Sequence, residues 1–87
     1  MPEISRFFGI VITMIYGDHE PAHVHIRYSG YEAKVEIGTG ELIKGELPRR
    51  ALRLVQDWIE LHKQELLNNF AEIKNFGNEW KKIEPLK

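Results

Sequence analysis

An α+β architecture follows from three features of the chain: an antiparallel β-meander of about four strands packed on one long α-helix, with an extended C-terminal strap. Two short segments alternate apolar and polar residues and end at glycine turns. One later stretch repeats apolar residues at intervals of three and four. The last nine residues carry large apolar groups after the helical pattern has stopped. A length of 87 residues argues for one domain, 1–87, with a modest core.

The first strand is expected over Phe8–Tyr16, a run of apolar and β-branched residues ended by Gly17. Ile10, Ile12 and Met14 stand on one side of it, Val11 and Ile15 on the other, so both faces want cover. The run is too short to span a bilayer. Glu3 interrupts the basic lead that a signal peptide would need, so the segment reads as a buried strand of a cytoplasmic protein. The absence of cysteine fits a reducing compartment and leaves no thiolate for a metal.

"GDHEP" forms a turn through Gly17, Asp18 and Pro21. "HVHIRY" then alternates: Val24, Ile26 and Tyr28 face one way, His23, His25 and Arg27 the other. After the Ser29–Gly30 turn, "YEAKVEI" alternates again, with Tyr31, Ala33, Val35 and Ile37 against Glu32, Lys34 and Glu36. "GTG" supplies a three-residue hairpin loop, and Glu41–Gly45 a short fourth strand.

Pro48 opens the helix, where its fixed φ is suited to the first turn. Leu52, Val55, Ile59, His62, Leu66, Phe70 and Ile73 make the buried stripe, widened by Ala51 and Trp58, and Asn75 and Gly77 stop it. In the tail, Trp80, Ile83 and Leu86 suggest a segment that docks back on the body. A single helix covers one face of a sheet, which leaves His23, His25, Arg27, Glu32 and Lys34 on the other.

"ISRFFGIVITM", "DHEPAHVHIRYSGYEAKVEI", "GELIKGELPRRALRLVQDWIELHKQELL" and "KKIEPL" together resemble a small bacterial family, the domain of unknown function 4160. The resemblance covers nearly the whole chain. Members more often have Pro and Phe where this chain has Ala22 and Val24; the histidines are kept. The family brings almost no chemistry with it. Its members are often encoded beside another small protein, in the manner of a toxin–antitoxin pair, which implies a protein partner.

The chemistry-bearing residues fall in two groups. His23 and His25 sit two apart on a strand and point to one face, near enough to share an ion. His19, across the turn, is the third candidate nitrogen, and Asp18 or Glu20 a candidate oxygen ligand or orienting group. His19, His23 and His25 are thus the expected metal ligands, with a divalent ion such as zinc the candidate cofactor. The alternative is that these rings are structural or meet a partner. His62, within the apolar stripe, reads as a core residue outside this group.

The second group is Arg49, Arg50 and Arg53 in the first two helical turns. Guanidinium groups beside free N–H groups make an anion site for phosphate or an acidic protein surface. Pairing with Glu46 and Asp57 is the plainer alternative. Residues 1–47 hold four Lys/Arg against seven Asp/Glu, and residues 48–87 hold eight against six, so any basic patch is local. The total of −1 argues against general attraction to nucleic acid.

Three functions are therefore expected, in this order. The first is an interaction module that binds a small partner protein, or a second copy of itself, through the open sheet face. The second is a metal- or histidine-dependent nuclease or hydrolase built on His19, His23 and His25, with Arg49 and Arg50 holding phosphate. The third is a DNA-binding operon regulator acting through Arg49, Arg50 and Arg53. Arg27 joins the binding residues of the open face. No residue is assigned a catalytic role on the leading reading.

Overall fold

The computed structural model describes residues 2–15, 17–75 and 79–87. It is α+β, with the order β1 (Glu3–Phe7), β2 (Ile10–Thr13), β3 (His23–Tyr28), β4 (Tyr31–Glu36), β5 (Leu42–Gly45), α1 (Arg49–Leu61) and α2 (Lys63–Lys74). The five strands form one antiparallel meander in chain order.

The expected first strand, Phe8–Tyr16, holds only β2; β1 lies before it and was not expected. The chain turns at Phe8 and Gly9, whose φ values of 50° and 79° are both positive, so Phe7 and Ile10 close a two-residue hairpin. Ser29 and Gly30, at 46° and 87°, do the same between Tyr28 and Tyr31. Two positive φ values in succession match the right-handed twist of the flanking strands. Tyr16 and Gly77, expected as the strand end and part of the helix stop, lie outside the described residues.

The expected single helix is two. At His62 the backbone reaches φ −121° and ψ 23°, outside the α region, and its N–H is shared between the carbonyls of Trp58 and Ile59. Pro48 precedes α1 as its cap residue rather than lying within it. Apolar spacing continues across the joint, because Leu66, Phe70 and Ile73 are buried in α2 as Val55, Trp58 and Ile59 are in α1.

The core is one cluster between the helices and one sheet face. Ile12, Ile26 and Ala33 line up across β2, β3 and β4, with Gly45 next in β5. Gly45 has φ +82°, and a Cβ there would run into the carbonyl of Glu32 and the Cα of Ala33. A glycine is therefore required where β5 closes on β4.

The C-terminal segment docks as an extended strap. Ile83 is buried and its N–H donates to the Ile4 carbonyl at 2.9 Å, against the β1 edge. Trp58 Nε1 donates to the Glu84 carbonyl at 2.8 Å. The buried Asn69 accepts from the Lys81 N–H at 3.0 Å and donates to the Lys81 carbonyl, which fixes the strap to α2.

Candidate functional site

The face of the sheet away from the core carries Thr13, His25, Lys34 and Lys44 in one row across β2–β5, with Val11, Arg27 and Glu32 in the next. These rows flank a cavity of about 310 Å³ lined by Thr13, His25, Arg27, Glu32, Lys34 and Lys44, among others. The alternation of β3 and β4 places these side chains there.

His23 departs from the expected arrangement. It shares the parity of His25, yet it is 6% exposed, and its ring lies 5.7 Å from that of Phe70 in α2. The end of α2 reaches the turn that leads into β3: the Gly17 N–H donates to the Ile73 carbonyl, and Lys74 pairs with Glu20 at 3.1 Å. The break at His62 divides the predicted rod, and it is the second piece that covers His23. His62 itself is half-buried, with Nδ1 2.7 Å from Glu65 Oε1 and its ring beside Trp58. It stands apart from the other imidazoles.

Asp18, His23 and His25 come together at the end of this face. Their ligand atoms all lie within 4.8 Å of one another. His25 Nε2 is 2.9 Å from Asp18 Oδ2 and forms a hydrogen bond with it. His23 Nε2 is 2.8 Å from the same oxygen, but its ring is angled so that no hydrogen bond results. The other His23 nitrogen, Nδ1, is 2.8 Å from the Pro21 carbonyl oxygen. A carbonyl only accepts, so Nδ1 carries the proton. The two rings are 5.1 Å apart.

Burial pushes the Asp18 carboxyl up in pKa. The hydrogen bond from His25, that from the His19 N–H and the neighbouring His23 and His25 rings outweigh it, so the group ends below its ordinary 3.8. Asp18 is thus a carboxylate whose charge the site favours.

Of the expected ligands, His23 and His25 meet and His19 does not join them. Its side chain is exposed, and it contributes its backbone N–H to Asp18 Oδ1 at 3.1 Å. Asp18 takes the third position. Alternation along β3 locates the strand pair, but no periodicity says which turn residue folds inward.

Arg49, Arg50 and Arg53 are exposed at the start of α1. Arg50 lines a hollow with Phe8, Tyr28, Ala51 and Leu54. That hollow is at the Tyr28 end of β3, and five residue steps separate Tyr28 from His23, about 16 Å of strand. Arg50 therefore does not share a cleft with the imidazoles.

One further feature was absent from the expected site. All four residues of β5 are exposed, and Leu42 and Ile43 retain 38% and 46% of their surface. β5 is the last strand of the meander, so among the described residues its outer side pairs with no other strand. Among the described residues, no helix is long and apolar enough to cross a membrane.

No curated protein and no solved structure gives a match to the chain. The family model for Domain of unknown function (DUF4160) matches residues 9–71, which span the turn, the histidine strand, β4, β5, α1 and most of α2. With most of its length matched, the chain belongs to that family.

Proposed function

We propose that this protein is a small cytoplasmic interaction module that binds a small partner protein, its counterpart in a toxin–antitoxin-like pair, by strand addition at β5. The observation that carries this reading is the β5 edge, with Leu42 and Ile43 exposed and, among the described residues, no strand beyond them. Lys44 supplies one charge of the kind that guards such an edge, but Leu42 and Ile43 beside it stay exposed. A partner strand laid along it makes main-chain hydrogen bonds and covers the apolar side chains in the same step.

Charge supports a protein partner over a nucleic acid. The open face mixes Arg27, Lys34 and Lys44 with Glu32 and Glu36, and the chain as a whole carries −1. A phosphate backbone selects for a cationic surface, whereas mixed charge suits complementary protein pairing.

Co-expression with the product of the neighbouring small gene, followed by size exclusion with light scattering, tests the proposal. A stable complex is expected with the wild type, weakened at least tenfold by Ile43→Lys while the circular dichroism spectrum is retained. Full association of the Ile43→Lys and Leu42→Lys variants would overturn it. So would the absence of any complex.

A further inference from the structure

The His23 ring presents a problem of valence. Its Nδ1 proton is committed to the Pro21 carbonyl, so the neutral ring has a bare lone pair on Nε2. That atom is buried, has no hydrogen-bond partner and faces the Asp18–His25 pair. Leaving a buried acceptor unsatisfied costs its full desolvation. Protonating Nε2 would set a cation beside Asp18 Oδ2 without making a hydrogen bond, because an N–H there does not point along the 2.8 Å line between them. An electrophile placed between the three side chains would satisfy all of them.

We infer that Asp18, His23 and His25 form a binding site for one divalent first-row transition-metal ion, with His23 Nε2, His25 Nε2 and an Asp18 carboxylate oxygen as ligands. Two imidazoles and one carboxylate are the protein donors of zinc and non-haem iron sites that keep open positions.

The surroundings are those of ligands already oriented. Histidine ligands commonly donate their second nitrogen to a backbone carbonyl, which fixes the tautomer, and His23 does so to Pro21. Asp18 Oδ1 is held by the His19 N–H, which sets the plane of the carboxylate. His23 and His25 are fixed by the register of β3 against β4, at Glu36 and Lys34.

Tetrahedral coordination at bond lengths of about 2.0–2.1 Å separates ligand atoms by about 3.3 Å. The present contacts of 2.8 and 2.9 Å must therefore widen slightly. Asp18 lies on a turn and can make that adjustment by side-chain rotation. His25 must move its proton from Nε2 to Nδ1, the nitrogen that faces away from Asp18. The remaining coordination positions belong to water or to a group from a bound molecule. His25 also lines the open-face cavity, so an ion at this site borders it.

The test uses the full chain made without a histidine tag, stripped with chelator and titrated with Zn2+ in competition with a chromophoric indicator. One ion per chain is expected, with micromolar or tighter affinity and no displacement by excess Mg2+. A Co2+-loaded sample should show ligand-field absorption in the visible range. Asp18→Asn and His25→Ala should each weaken Zn2+ binding on the order of 10–100-fold or more. His19→Ala should leave it unchanged. Circular dichroism on each variant separates loss of a ligand from loss of fold; His23, being buried, is the less useful position. A folded wild type that takes up no Zn2+ would overturn the inference, as would full affinity in both Asp18→Asn and His25→Ala. Because no step depends on the β5 edge, failure of partner binding leaves this result standing.

Discussion

His23 Nε2 lies 2.8 Å from Asp18 Oδ2, and the two do not form a hydrogen bond. The histidine is held by its other nitrogen and by packing on Phe70, the aspartate by His25 and the His19 N–H. The close approach is thus imposed by the neighbours of both residues. It makes the three histidines of the "DHEPAHVH" stretch unequal.

That inequality predicts different costs of truncation. His23→Ala removes a buried ring and leaves a cavity against Phe70, for a loss of about 2–4 kcal/mol. His19→Ala, at an exposed position, should change stability by no more than about 0.5 kcal/mol. Urea denaturation of both variants in chelator provides the comparison, and equal costs would contradict the burial described above.

Asp18 predicts a pH dependence. Its carboxyl lies below 3.8 in the folded protein, so the unfolded chain binds its proton more readily. Its contribution to stability is complete above the unfolded pKa and is lost as pH falls through the lower, folded value. Asp18→Asn should flatten the acid limb of stability against pH, measured by urea titration in metal-free buffer. An unchanged acid limb would show that the carboxylate is not stabilised by folding.

Gly45→Ala should destabilise the protein by about 1–3 kcal/mol or more, since it combines a positive φ with a backbone collision. Gly30→Ala is the control: it has a similar φ but open space around the added methyl, so it should cost less. Thermal unfolding of the pair separates backbone strain from the collision.

The strap can be tested at Ile83. Ile83→Ala should cost about 2–4 kcal/mol through lost burial. Trp58→Phe should cost about 2–4 kcal/mol, because it removes the hydrogen bond to the Glu84 carbonyl and also leaves a cavity at a fully buried position. If neither change lowers the denaturation midpoint, the strap does not contribute to the core.

The α+β class, the two alternating strands and the pairing of His23 with His25 were legible because each depends on a short-range period. "HVHIRY" and "YEAKVEI" state their faces residue by residue. The hairpin at Phe8–Gly9 was hidden because the apolar run continues through it; Gly9 was its only local signal, and Phe8 rarely adopts a positive φ. The joint at His62 was hidden in the same way, since the buried stripe keeps its spacing on both sides. Asp18's inward turn and Asn69's bonds to Lys81 depend on contacts between distant segments, which no local pattern encodes.

The bond from Ile83 to Ile4 means that the two margins of the ribbon are not equivalent. One takes a hydrogen bond from the molecule's own tail, and the other ends at β5. Strand addition is therefore opposed at the β1 margin by the tail docked there and is freer at the β5 margin.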